Sequence, residues 1–372
     1  MTSSTTRDTS LRIVESCDPL PYWKELLRKA GVEAGFCQSE TWARILRGVT
    51  AAKSFFLEAR RPDGELAGQL LCFVQKPFSR ARRRPLQAME AVARFAPTAL
   101  HWLDGPVFHG EGDHGTTVAA LLDAVGALVR EHCVDTVSGS MSAATSQIVR
   151  DSAVRAEFIR RGYSANSWAT LLVDLTSSEE VLWRSIDHSV RKGIKKCERL
   201  GLRVREIGGL EDFMRSFYQP YRSTEEAYGR AVNPSYFSEV TLREDHDRYY
   251  RHFVAENLDG TVLATLGMYL FNGVATEVAS ALTPVAYRQK LPAQDILHWE
   301  LFRSAKAAGC QIFNLAGVSP NPQNEKEVGI RRFKEKWGGR YVEYDKFEKH
   351  GSRWKFLASM KNLATRVLHR PP

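Results

Sequence analysis

The sequence predicts an α/β (α+β) protein built as two similar domains in tandem, each a mixed sheet flanked by helices. Three observations predict it. The chain has 372 residues, two domains' worth at roughly 100 to 200 residues each. Two Asp-Gly pairs, Asp63-Gly64 and Asp259-Gly260, stand between apolar runs and signal tight hairpins at equivalent points. After each hairpin the same order of elements follows: an antiparallel meander, then strand, helix and strand.

In the first half, Phe55 to Ala59 and Leu66 to Val74 flank the hairpin. A basic loop comes next, then a strand from Leu100 through Phe108, a helix from about Thr116 to Glu131 and a short strand near Val134 to Ser138. The polar stretch Tyr163 to Trp168 marks the join. A strand at Ala169 to Leu175 opens the second half. Ser177 and Glu180 have capping-box spacing, and Ile186, Val190, Ile194 and Cys197 recur every three or four residues, so one helix with a buried face is predicted there. Beyond the second hairpin come Val262 to Phe271, an Asn272-Gly273 turn, Val274 to Ala281, a helix from about Ala293 to Ala308 stopped by Gly309, and a strand from Cys310 to Leu315. The expected boundaries are a disordered tail at 1–10, an N-terminal domain at 11–165, a C-terminal domain at 166–350 and a basic amphipathic helix at 351–372. That helix carries Phe356, Leu357, Met360, Leu363 and Val367 on one stripe; it is read as docking on the second domain, with a peripheral membrane contact as the alternative.

Composition narrows the class. Apolar residues make up 43% of the chain and charged residues 26%, with 8 Trp and 18 Phe, which excludes disordered, collagen-like and coiled-coil chains. The net charge of +9 favours a polyanionic partner. The six cysteines stand singly with no C-x-x-C pair, so neither a zinc knuckle nor a disulfide framework is predicted, and a reducing cytoplasm fits. No secretory h-region opens the sequence. Thr116 to Val129, the most apolar stretch, is shorter than the about 20 residues a transmembrane helix needs. No metal is expected, since His101, His109, His114 and His132 lack ligand spacing. Gly110, Gly112 and Gly115 make a G-x-G-x-x-G ahead of a helix, but Glu111 and Asp113 inside it would repel a pyrophosphate, so it reads as a surface turn. No G-x-S-x-G elbow supports a serine hydrolase.

Several segments together are informative: Gln38-Ser39 with Trp42; Leu103-Asp104-Gly105-Pro106-Val107; the basic run His188 to Gly201; Trp299 to Gly317, ending in Phe313-Asn314-Leu315-Ala316-Gly317; and Gly329-Ile330-Arg331-Arg332-Phe333-Lys334 with Trp337-Gly338-Gly339. In order and spacing the chain resembles the Fem-like aminoacyltransferases, typified by the enzymes that build peptidoglycan interpeptide bridges, which double the GNAT-type N-acetyltransferase fold. The resemblance implies a tandem pair of GNAT-type domains and a transferase that makes an amide bond from an amino acid donated by aminoacyl-tRNA. The acceptor it implies is an amine on a cell-wall precursor, diphosphate-linked in peptidoglycan synthesis, or a small natural-product amine.

The donor loop bears on this. A simple acetyltransferase holds the coenzyme A pyrophosphate on bare N–H groups at a helix N-terminus, where small residues let the chain approach. Here the loop is Arg288-Gln289-Lys290-Leu291-Pro292-Ala293, without Gly and with Pro292 at the helix entrance. Arg288 and Lys290 remain able to hold a phosphate, so acetyl-CoA stays as the alternative donor. Aminoacyl-tRNA is a co-substrate; no bound cofactor is expected. A non-enzymatic tRNA-binding module is the third reading.

Acyl transfer from an ester to an amine passes through a tetrahedral oxyanion, which needs a cation where the charge forms. By resemblance Lys334 is that cation and Phe333 shapes the pocket. Arg191, Lys192, Lys195 and Lys196, with Arg288, Lys290, Arg331, Arg332 and Trp337, are the expected tRNA- or substrate-binding set. Their plain alternatives are a solvated basic face for the charges and a core anchor for Trp337. The general base is not identified; Glu225, Glu226, Asp295 and Tyr287 suit it by type. Asn314 stands where the family more often has Asp, which leaves no acid there. The long coiled-coil arm of some bridge-forming members has no room in this chain.

Overall fold

The computed structural model describes residues 11–75, 97–143, 152–227 and 249–351. The expected tail at 1–10, the basic loop after the second strand and the C-terminal helix from Ser352 lie outside them. The chain divides into two compact units, Met1–Ser167 with Tyr344–Pro372, and Trp168–Glu343.

In the first unit β1 (Arg12–Ser16) pairs antiparallel with β2 (Lys53–Arg60), and β2 with β3 (Leu66–Gln75). Gly64 supplies the left-handed φ of 87° the connecting turn needs. β3 pairs antiparallel with β4 (Ala99–Trp102), which runs parallel to β6 (Thr136–Ser140). The expected strand from Leu100 through Phe108 is two: after Trp102 the chain turns at Asp104, with φ 56°, and resumes as β5 (Val107–Phe108). Asp104 N and Gly105 N are bonded to Ser140, on Oγ at 3.4 Å and O at 3.0 Å, which holds the turn.

Helices α1 (Trp23–Lys29) and α2 (Glu40–Thr50) lie between β1 and β2 in the chain, and α3 (His114–Glu131) covers one face. Val118, Leu121, Val125 and Leu128 of α3 join Phe55, Leu57, Leu70 and Cys72 in one buried cluster, at period 3.6 against period 2. Asp113, inside the glycine turn, caps α3: its carboxylate accepts from Gly115 N at 2.9 Å. The Gln38 side chain, fully buried, accepts from Leu71 N at 2.7 Å and donates to Leu103 O at 2.6 Å, and Ser39 caps α2 on Trp42 N. These family-like residues are therefore structural. Helix α4 (Ser152–Arg160) leads into β7 (Ser164–Asp174), so the polar stretch Tyr163 to Trp168, expected to mark the join, is largely strand.

The second unit holds β7, β12 (Ile312–Val318), β11 (Val274–Leu282), β10 (Val262–Phe271), β9 (Tyr250–Glu256) and β8 (Arg203–Glu206) in that order. Asn272 and Gly273, at φ 47° and 78°, make the tight turn between β10 and β11. The helix expected as one piece after Ser177 is two, α5 (Glu179–Ser185), capped by Ser178, and α6 (His188–Arg199), capped by Asp187. Ile186 is extended between them and Asp187 N donates to Lys336 O at 2.8 Å, so the chain is drawn out of the helix there. The apolar face is as expected: Ile186, Val190, Ile194 and Cys197 are all buried. A turn at Gly209–Asp212 runs through a π-helical stretch, Phe213–Tyr218, into α7 (Gln219–Ala227). Helices α8 (Pro284–Arg288), α9 (Ala293–Ala307) and α10 (Glu325–Glu335) follow. The last strand, β13 (Arg340–His350), starts in the second unit; from Tyr344 it belongs to the first, where Lys346–His350 pairs with β6. Residues 344–350 were expected in the second domain, and strand pairing assigns them to the first.

Arg205 of β8 ties the π-helical segment to the sheet, donating to Asp212 at 2.6 and 3.0 Å and to Glu256 at 2.9 Å. The hydrogen bonds from Arg205 hold the Asp212 carboxyl at about 2, against an ordinary 3.8. A depressed carboxyl stabilises the fold above its ordinary pKa and stops doing so as pH falls through its folded value. The urea midpoint is therefore expected to fall between pH 3.8 and about 2, more steeply than in Asp212→Asn, which lacks this titration.

Candidate active site

β11 and β12 run parallel but pair only where Val274–Thr276 meets Ile312–Asn314, and then part. On its other side β12 pairs with β7, and a bulge between Asn314 and Gly317 shifts the register. Ala316 sits in that bulge at φ 59°, a left-handed conformation costly for a residue with a Cβ. Asn314 stabilises it: its Oδ1 accepts from Ala316 N at 3.0 Å and from the Thr170 hydroxyl at 2.6 Å. The carbonyls flanking Ala316, those of Leu315 and Gly317, both accept from Lys334 Nζ, the latter at 3.4 Å. Lys334 is only 8% exposed. An ammonium has three donors, so among the described residues one remains for a further acceptor at this point.

A carboxylate stands one residue past the last pairing of β11 with β12. Glu277 of β11 lies 3.4 Å from His298 Nε2 of α9, and His298 Nδ1 lies 2.8 Å from Gln294 O. Burial pushes the Glu277 carboxyl up, but the hydrogen bond and charge of His298 and the charge of Lys334 outweigh it and hold Glu277 below the usual carboxylate range. Burial in turn lowers Lys334, with Glu277 opposing it. His298 stacks on Trp337 at 5.2 Å and meets the edge of Phe333 at 5.2 Å. Asp295, one turn before His298, is raised to about 6 by burial against the charges of His298 and Lys336. Its approach depends on Gly193 of α6, where a Cβ would lie 2.3 Å from Asp295 Oδ2.

The loop into α9 turns its amides inward. Gln289 N donates to Val285 O, Lys290 N to Tyr287 O and Leu291 N to Ala286 O, at 3.0, 3.1 and 3.0 Å. Lys290 adopts φ 51° to close this cap. Pro292 has no N–H to offer.

Parallel strands that part beside a bulge, with a helix entering from the first of them, describe a known architecture, and residues 184–335 match the acetyltransferase (GNAT) domain family. The fold is GNAT-type. Among solved structures, FemX has this fold at a TM-score of 0.67, 11% identical, covering 89% of this chain and 96% of that one. A tandem GNAT protein from the clavulanic acid biosynthesis pathway gives 0.53 at 12% identity, covering 92% and 98%. L-PGS from Bacillus licheniformis gives 0.51 at 15% identity, covering 95% and 98%. Matching at such identities speaks to the fold. No curated protein matches the sequence.

In this GNAT-type unit the residues expected from sequence fall into three groups. Lys334 is buried at the β12 bulge, with Phe333 half-buried beside His298. Lys192, Lys195 and Lys196 are exposed on α6, and Lys196 Nζ donates to Lys290 O at 3.3 Å, which joins α6 to the exposed loop of Arg288 and Lys290. Arg191 is half-buried, with its Nε buried and unpartnered among the described residues. The third group is held within the fold. Arg331 donates to Glu335 and Pro320 O at 2.8 and 2.9 Å and lies over the Tyr341 ring, while Trp337 is fully buried, in the place of a core anchor. Arg332 is exposed.

Of the candidate bases, Glu226 at the end of α7 and Tyr287 on α8 are exposed, while Glu225 is half-buried on α7; Asp295 is partly buried near His298. Glu277 and His298 were not expected. Each breaks an apolar pattern, Glu277 within β11 and His298 between Leu297 and Trp299, and that interruption was the available signal. Their pairing across β11 and α9 is not written in either segment. Among the described residues no His, Cys, Asp or Glu group could hold a metal, and no helix is long and apolar enough to cross a membrane.

Proposed function

We propose that this protein is an aminoacyltransferase that forms an amide bond between an amino acid carried on tRNA and an amine acceptor, a cell-wall precursor or a small natural-product amine, in the cytoplasm where charged tRNA is found. One observation carries the choice of donor. The loop at which a coenzyme A pyrophosphate would rest has its amides of residues 289–291 bonded to α8 carbonyls and a proline in the next place. A phosphate there meets side-chain cations instead of an amide cradle, which suits a polynucleotide better than a single compact pyrophosphate. The basic face of α6 and the Arg288–Lys290 loop supplies such cations, and Arg191 Nε, unpartnered among the described residues, is a further donor there.

The chemistry follows from Lys334. The acceptor amine attacks the ester carbonyl, a C–N bond forms and the carbonyl oxygen becomes an oxyanion. The third N–H of Lys334 donates to that oxygen in a site from which water is largely excluded, where a charge-assisted bond is strong. The intermediate collapses with loss of the tRNA hydroxyl, which leaves with the proton released by the amine.

Incubation with charged tRNA and a panel of amines, and separately with acetyl-CoA, tests this by product mass. Amide formation abolished by prior RNase treatment is expected. RNase-insensitive turnover with acetyl-CoA would establish the alternative donor, and tight tRNA binding without product would mean a binding module. Arg191→Ala combined with Lys195→Ala is expected to weaken substrate binding and to lower the slope of log affinity against log salt by about one for each phosphate no longer neutralised.

A further inference from the structure

An ammonium excluded from water loses its proton more readily, yet only the protonated form stabilises an oxyanion. Lys334 must therefore keep its charge where burial opposes it. The β12 carbonyls of Leu315 and Gly317 bind it, but they are neutral. Glu277 directly follows Thr276, the last β11 residue paired with β12, opposite Asn314, and Lys334 Nζ donates to the carbonyl of Leu315, the residue after Asn314, so carboxylate and ammonium belong to the same point where the strands part; there the charge of Glu277 opposes the effect of burial on Lys334. The other groups on the elements around it are otherwise engaged. β12 contributes carbonyls; on α9, His298 faces Glu277 and Asp295 answers to His298 and Lys336; on α10, Arg331 and Glu335 pair with each other. Glu277 is itself fixed. His298 is anchored to Gln294 O on one side, presents Nε2 to the carboxylate on the other, and is clasped between Trp337 and Phe333.

We propose that Glu277, held by His298, is a positioning residue whose negative charge keeps Lys334 protonated in the dry site. This rests on the acyl-transfer reading of Lys334 and adds to it the group that makes a buried ammonium usable. Glu277→Gln keeps the shape of the side chain and removes its charge. In protein labelled with 13C at lysine Cε, the Lys334 resonance, assigned by its absence in Lys334→Met, is expected to titrate at lower pH in Glu277→Gln than in wild type. The alkaline limb of kcat is expected to move down with it while KM is kept, and Glu277→Asp is expected to restore both. A purely structural role for Glu277 would leave the limb where it is. Because coupling is reciprocal, 13C-carboxyl labelling offers a second measurement: Glu277 should titrate at higher pH in Lys334→Met than in wild type, which decides the matter even if Glu277→Gln does not fold. Unmoved titrations in both variants overturn the inference. Absence of acyl transfer by wild type with every donor overturns the reading of the site instead, and the titrations still report on the Glu277–Lys334 coupling.

Discussion

Lys334→Met is expected to lower kcat about a hundredfold or more with little change in KM, since the donor it removes acts where charge develops in the transition state. The methionine replaces the lysine stem with a chain of similar reach and leaves the packing beside Phe333 largely intact. It also takes the Nζ donor away from the Leu315 and Gly317 carbonyls. Loss of such a partner costs about 1–3 kcal/mol of stability, so urea unfolding is expected to register the change while the protein stays folded at room temperature. Single-turnover measurement with charged tRNA and a competent amine separates the two effects, because it reads the chemical step on folded protein alone. A near-normal rate would remove Lys334 from the mechanism.

The largest effect on stability is expected from Trp337→Ala. The indole is 0% exposed and packs against Phe302 at 5.1 Å, His298 at 5.2 Å and Phe333 at 6.2 Å. Truncation of a large buried aromatic costs about 3–5 kcal/mol, because the cavity collapses only in part. Here the loss also frees the ring that His298 stacks on, so catalytic and structural damage should appear together. Trp337→Phe is the control. Trp337 Nε1 is buried without a partner among the described residues, so phenylalanine removes an unsatisfied donor while it keeps most of the apolar surface, and it is expected to cost much less. Urea midpoints of the two variants check this; equal losses would show that ring volume is not what Trp337 contributes.

The places where sequence and structure part company share a cause. The apolar faces of α3 and α6 were legible because a helix must bury every third or fourth residue, and the hairpins because Gly64 and the Asn272-Gly273 pair meet a backbone demand confined to a few residues. The break between α5 and α6 was not, since it depends on Asp187 donating to Lys336 O, far along the chain. Phe333 and Lys334 were picked out by resemblance, yet their roles as neighbours of His298 and of the β12 carbonyls are visible only in three dimensions. Trp337 shows the limit of a linear reading. It stands between a charged run ending in Lys336 and the Gly338-Gly339 pair, and both a binding role and a core role were open until its burial was known.

The order of elements, the basic surplus, and the absence of glycine from the loop before α9 were determined by the sequence alone, because each is a property of local composition. The bulge that aims two carbonyls at Lys334, the inward turn of the loop amides and the approach of Glu277 to His298 were decided by tertiary structure. Each of these joins groups that only the packing of α9 and α10 on the parted strands brings within reach, and an ammonium far from water depends on all of its neighbours at once.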